Sequence, residues 1–193
     1  MMGSRLYQHN TASDTPGLIP VWTSAQLRDN VPPNLSAACP QPCEKRETRM
    51  NLFATDDVQL HYRDDGDPQG APVVFANSLG TDLRLWDLIL PHLPKGLRII
   101  RYDKRGHGLS SCPKGAYSMG ALVREIEALL DHLDVKNCLF VGLSIGGMIA
   151  QGLAIKRLDL LRAMVLSNTA AKIGQPAMWD DSISPLEEVD KVN

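Results

Sequence analysis

The stretch Asn137–Gly147, NCLFVGLSIGG, restricts this chain more than any other. Its near-continuous apolar run suits a strand covered on both faces, and such strands belong to parallel sheets whose crossovers are helices. The run ends in glycines around Ser144, and a small-residue helical pattern follows to about Arg157. A strand, a tight turn and a helix in that order form the middle of a βαβ unit.

The same alternation extends both ways. NLFAT and VQLHYR read as a hairpin around Asp56-Asp57, and VVFA (Val73–Ala76) as a buried strand. A helix is predicted from about Asp82 to Leu93, then a strand over Leu97–Asp103. From about Ser118 to Leu133, Leu122, Val123, Ile126, Leu129, Leu130 and Leu133 share one helical face. Arg162–Asn168 is the last strand candidate, making six in all. The expected fold class is α/β, a mostly parallel sheet with flanking helices.

Residues 1–49 contain six of the 13 prolines, no sustained period of 2 or 3.6, and a charged end, EKRETR. They are expected to be a poorly ordered N-terminal extension. Residues 50–168 form the expected core, and 169–193 the start of a cap or a divergent tail. With no apolar strand after Asn168, Arg162–Asn168 is expected to leave a bare sheet edge prone to self-association.

Composition removes other classes. Twenty basic and 22 acidic side chains give a net charge of -2, which offers no footprint for nucleic acid or an anionic membrane. No segment approaches the ~18 apolar residues of a membrane span, and Pro20 breaks the apolar stretch GLIPVW near the start. Four cysteines are too few for a disulfide scaffold in 193 residues, so a reducing cytoplasm is expected. Cys39 and Cys43 (CPQPC) lack the second ligand pair of a zinc site, and no metal is expected.

The chemistry concentrates at Gly142-Leu143-Ser144-Ile145-Gly146, a G-x-S-x-G at a strand-to-helix junction. A serine on so sharp a turn needs glycine two residues either side, because side chains there would strike the neighbouring strand and helix. The hydroxyl then stands clear of the sheet, and the following N–H groups face developing negative charge. Ser144 is the candidate nucleophile. Its oxyanion donors would be the N–H of Ile145 and one from the loop after VVFA, Asn77-Ser78-Leu79-Gly80, where Leu79 is the choice. A dinucleotide fingerprint fits neither this glycine spacing nor Gly106-His107-Gly108, which Ser111, Cys112 and Pro113 follow in place of a helix.

NSLGTDLRLWD (Asn77–Asp87), RYDKRGHGLS (Arg101–Ser110), GLSIGGMIAQ (Gly142–Gln151) and LSNTAAKIG (Leu166–Gly174) together resemble the motifs of the α/β-hydrolase superfamily. Within it they most resemble 3-oxoadipate enol-lactonases of bacterial aromatic degradation, over about residues 50–180. That resemblance implies cofactor-free hydrolysis of 3-oxoadipate enol-lactone to 3-oxoadipate in the β-ketoadipate pathway. It matches Ser144 to the family nucleophile and Leu79 with Ile145 to its oxyanion donors. It also implies a pocket reached by Asn77 and Ser78 and, from a helical cap beginning near Thr169, by Trp179.

One departure from that pattern is large. The superfamily triad runs Ser, acid, His, yet His9, His61, His92, His107 and His132 all precede Ser144. The acid and the base would come from loops after two further strands, so the chain reads as the front half of an enol-lactonase, C-terminally truncated. Asp180, Asp181 and Asp190 follow no strand that would position them and are not assigned. His107, after a strand, is the only upstream candidate for a substitute base, although the RGHG turn suits a structural role better. His132, between Asp131 and Leu133 on the amphipathic helix, is expected at the surface or its boundary. Two alternatives stand beside the lactonase reading: a catalytically inactive fragment of the fold, and another serine esterase.

Overall fold

The computed structural model describes the backbone of residues 21–23 and the whole of residues 50–172. Its strands are β1 (Val21–Thr23), β2 (Asn51–Ala54), β3 (Gln59–Gly66), β4 (Ala71–Ala76), β5 (Leu97–Tyr102), β6 (Cys138–Leu143) and β7 (Leu161–Ser167). They form one sheet in the order β1-β7-β6-β4-β5-β3-β2. The pairs β4/β5, β4/β6, β6/β7 and β1/β7 are parallel, while the opening hairpin β2/β3 joins β5 antiparallel. This is the α/β arrangement expected, with one strand more.

The extra strand is a correction. The sequence leads one to expect a bare edge at Arg162–Asn168 and a poorly ordered extension over residues 1–49. Instead Val21, Trp22 and Thr23 lie parallel to Met164, Val165 and Leu166. An isolated three-residue strand has no sequence period to betray it; its place is set by the unpaired donors and acceptors of β7. The remainder of residues 1–49, with Cys39 and Cys43, lies outside the described residues, as does 173–193.

Among the described residues, two helices flank the sheet, α1 (Met119–His132) and α2 (Ile145–Lys156). The Ser118 hydroxyl caps α1 by accepting the Ala121 N–H at 3.2 Å. Leu122, Val123, Ile126, Leu129 and Leu130 of α1 and Ile149, Ala150 and Leu153 of α2 form one core with Val74, Ile100, Phe140 and Met164 of the sheet. Leu60, Val74, Ile100, Ile126, Leu129, Leu130, Phe140, Ile149 and Leu153 are fully buried, the outcome the predicted helical face required. His132 is exposed at the end of α1, stacked 4.6 Å from Phe53.

On the opposite face, Val73 and Phe75 pack with Trp86, whose ring centroid lies 4.9 Å from that of Phe75. Trp86 belongs to the segment predicted as a helix over Asp82–Leu93. Two short 3-10 turns, Leu83–Trp86 and Leu90–His92, stand there instead. Pro91 offers no N–H, and its ring would meet the carbonyl four residues earlier, so an α-helix cannot continue through it. Among the described residues, no helix is long and apolar enough to cross a membrane.

The chain leaves β4 for β5 on one side, then crosses to β6 on the other. The carboxyl ends of β4 and β6 therefore open on the crevice where strand order reverses, which is where open α/β sheets bind ligands.

Candidate active site

Ala76 and Gly142 are register partners at the ends of β4 and β6, so the segments that follow, Asn77–Gly80 and Leu143–Gly147, leave the sheet side by side. Ser144 sits between β6 and α2 with φ 55° and ψ −117°, a conformation L-residues rarely adopt. Holding it there costs on the order of 1–3 kcal/mol, and its surroundings fix it. The Ser144 N–H donates to the Ser167 carbonyl at 2.9 Å. Its own carbonyl accepts from the Gly147 N–H at 2.9 Å and the Thr169 hydroxyl at 2.7 Å. The side chain does not cap the helix it begins.

The glycines are explained by contact. A Cβ on Gly142 would lie 2.5 Å from the Gly146 carbonyl oxygen, and one on Gly146 would lie 2.1 Å from that of Ala76. On Gly147 it would lie 2.5 Å from the Thr169 Cγ2. The first two positions are the flanking glycines of G-x-S-x-G. The third lets α2 approach the chain leaving β7, a demand that sequence spacing alone did not express.

Asn77–Gly80 is held from several sides. Asn77 was expected to reach the pocket, but it is fully buried and its side-chain amide donates to the Thr81 carbonyl within the same loop. That bond closes the loop on itself. Ser78 is half-buried and Leu79 is exposed. Thr81 Oγ1 donates to the Ser78 carbonyl at 2.9 Å, and the Gly80 N–H donates to His107 Nε2 at 3.1 Å. Trp179 lies outside the described residues.

His107, the upstream candidate for a substitute base, is held in the loop after β5 by both ring nitrogens. Its Nδ1 donates to the Arg105 carbonyl at 2.9 Å while Nε2 accepts from Gly80, so both ring nitrogens of the neutral imidazole are engaged. Burial, aided by the Lys104 charge, pulls its pKa below the ordinary histidine value. His61 is also committed, its Nδ1 donating to Asp103 Oδ2 at 2.8 Å.

Asp103 is the hub of the loop after β5. Its carboxylate is almost wholly buried and accepts the Leu83 N–H at 2.7 Å and the Leu109 N–H at 3.1 Å besides His61. A Cβ at Gly108 would lie 2.1 Å from Asp103 Oδ2, which accounts for the second glycine of RGHG. Next to it, Lys104 is buried and donates to the carbonyls of Asn77 and Ser78 at 3.0 and 2.9 Å. Sequence reasoning missed Lys104, because a lysine within a charged run reads as solvated. Among the described residues, no cluster of His, Cys, Asp or Glu could hold a metal ion.

What the arrangement offers is a strained serine, a helix N-terminus and an adjoining loop with N–H groups at one crevice, a candidate nucleophile with candidate oxyanion donors beside it.

Known proteins share this framework. The family model described as alpha/beta hydrolase fold matches residues 71–188. The chain is 40% identical over 129 residues to 3-oxoadipate enol-lactonase 2 of Acinetobacter baylyi, covering 67% of this chain and 48% of that protein. It is 33% identical over 121 residues to 3-oxoadipate enol-lactonase 1 of the same organism, covering 62% and 45%. Among solved structures, the enol-lactonase from Burkholderia xenovorans superposes with a TM-score of 0.65 at 40% identity, over 68% of this chain and 51% of that one. A hydrolase from Pseudomonas aeruginosa gives a TM-score of 0.69 at 40% identity, over 72% and 53%. The chain thus spans about half the length of the curated relatives it matches. On the matched family model, the seven-stranded sheet and the G-x-S-x-G turn, the chain belongs to the α/β-hydrolase fold family.

Proposed function

We propose that this chain carries the nucleophile and oxyanion donors of a serine hydrolase of the 3-oxoadipate enol-lactonase type. The observation that carries this reading is Ser144 held at φ 55° on a turn whose flanking glycines admit no side chain. Its support on the substrate side is the 40% identity to an enol-lactonase. Ser144 Oγ adds to the lactone carbonyl carbon, and the N–H groups of Leu79 and Ile145 stabilise the oxyanion. Collapse breaks the ring C–O bond and leaves a seryl ester with an enol, which tautomerises to the ketone. Water then hydrolyses the ester, freeing 3-oxoadipate and Ser144. The reaction needs no cofactor, and its partner is the small lactone.

The serine proton needs an acceptor, and an unassisted hydroxyl is a weak nucleophile. His61 and His107 are both engaged elsewhere. That observation favours a second reading, in which this chain binds the lactone and turns it over at or near background. Fluorophosphonate labelling of the full chain followed by mass spectrometry tests the first reading: Ser144 is expected to carry the adduct and the Ser144→Ala variant none. Labelling elsewhere, or undiminished labelling of Ser144→Ala, overturns it. Enol-lactone consumption by the labelled and unlabelled chain then separates the two readings.

A further inference from the structure

We propose that Lys104 is a positioning residue for the oxyanion loop, aiming the Leu79 N–H by holding the carbonyls of Asn77 and Ser78 from beneath. This inference rests on the reading of Ser144 and Leu79 as nucleophile and oxyanion donor.

A trans peptide is planar, and its C=O and N–H point in opposite directions; none of the described peptide bonds is cis. Lys104 Nζ lies 2.9 Å from the Ser78 carbonyl oxygen, so the Leu79 N–H of the same peptide faces away from the lysine. The Asn77 carbonyl lies 3.0 Å from the same nitrogen, which turns the Ser78 N–H the same way. Two successive amides are thereby presented on the side of the loop opposite Lys104. With Ala76 level with Gly142, these amides leave the sheet beside Ser144.

The holding force is strong for its size. Lys104 is 1% exposed, and charge-assisted hydrogen bonds are roughly twice as strong as neutral ones. A cation bonded to a carbonyl also polarises the peptide, making the opposite N–H a better donor. Thr81 Oγ1 on the Ser78 carbonyl and His107 Nε2 on the Gly80 N–H complete the clamp. The ionisable groups facing Lys104 are Asp103, whose charge favours the ammonium, and His107, whose protonation the ammonium opposes; burial outweighs Asp103 and pulls the lysine down to about 8. The two carbonyls give the buried ammonium its hydrogen-bond partners.

The test compares the full chain with Lys104→Met, which keeps the stem and removes every donor, and Lys104→Gln, which keeps two. Circular dichroism establishes that each is folded. Hydrogen exchange is followed at the Gly80 amide, the loop's reporter, and in β4 and α2. Expected is a tenfold or greater loss of Gly80 protection in Lys104→Met with β4 and α2 unchanged, and partial rescue in Lys104→Gln. Phosphonylation of Ser144 by a fluorophosphonate should fall on the order of 10²-fold, the effect of losing one oxyanion donor, in its limiting rate and not in its half-saturation concentration. Unchanged Gly80 protection in folded Lys104→Met overturns the proposal, as does a raised half-saturation concentration with an unchanged limiting rate. Should Lys104→Met fail to fold, Lys104→Gln alone decides by the same two readouts. If wild type takes no label while Gly80 protection still depends on Lys104, the hydrolase reading fails and the clamp stands.

Discussion

Replacing Gly146 by alanine tests how tightly the elbow is built. The added Cβ would lie 2.1 Å from the Ala76 carbonyl oxygen and 2.6 Å from its carbon. Ordinary carbon–oxygen contact begins about 1 Å further out, and the obstacle is strand backbone rather than the end of a flexible side chain. β4 and the first turn of α2 must therefore separate by about 1 Å, or the turn must reopen. Overpacking of this kind costs typically 1–3 kcal/mol, and a chain of this size loses roughly 2–4 °C of melting temperature per kcal/mol. A fall of roughly 2–12 °C is expected. The chemical cost is separate: Ala76 immediately precedes the oxyanion loop, so the same shift moves Leu79 against Ser144, and a 1 Å misplacement costs on the order of 10²-fold in rate. Thermal melts and the rate of Ser144 phosphonylation read the two effects. Gly120→Ala in α1 is the control, since its Cβ meets nothing nearer than 3.5 Å and alanine favours the helix by roughly 0.5–1 kcal/mol. If Gly146→Ala melts with wild type and labels at the wild-type rate, the steric account of the elbow is wrong.

Ser144→Ala should abolish labelling and shift the melting temperature by no more than about a degree or two, because among the described residues no hydrogen bond uses its hydroxyl and its side chain does not cap α2. In Asp103→Asn, an amide NH2 replaces one of the oxygens that accept from His61, Leu83 and Leu109; a loss on the order of 3 kcal/mol in urea unfolding is expected, and a loss under about 0.5 kcal/mol would dismiss Asp103 as the hub. Lys104 makes stability depend on pH with a definite sign. The unfolded lysine keeps its proton to about 10.5 and the folded one releases it near 8, so the folded chain binds fewer protons in that window. Its contribution therefore rises with pH between those values, by at most about 3 kcal/mol. Subtracting the Lys104→Met unfolding free energy from wild type at several pH values should reveal this slope, and a flat difference would contradict it. Lastly, enol-lactone turnover by the 193-residue chain is expected at or near background; ordinary enzymatic turnover would show that the Ser144 proton finds an acceptor after all, with His107 the first to mutate.

Fold class, the order of the elements from residue 50 onward, the buried faces and the serine turn were all legible in the amino-acid order. Each is a local signal: runs such as Leu139–Leu143 require cover on both faces, the period from Leu122 to Leu130 requires one buried stripe, and glycines about Ser144 require a close approach. Tertiary structure decided what depends on partners distant in the chain. Pro91 and the Trp86–Phe75 contact turned a predicted helix into two 3-10 turns. Three residues without any period, Val21–Thr23, became a strand because β7 offered them unpaired backbone groups. Asn77, expected in the pocket, was drawn inside by its bond to Thr81, and Lys104, unremarked among charges, was buried by two carbonyls 26 and 27 residues away. Periodicity reports which side of an element is covered; which polar atom finds which partner is settled only when the loops after β4, β5 and β6 meet at one end of the sheet.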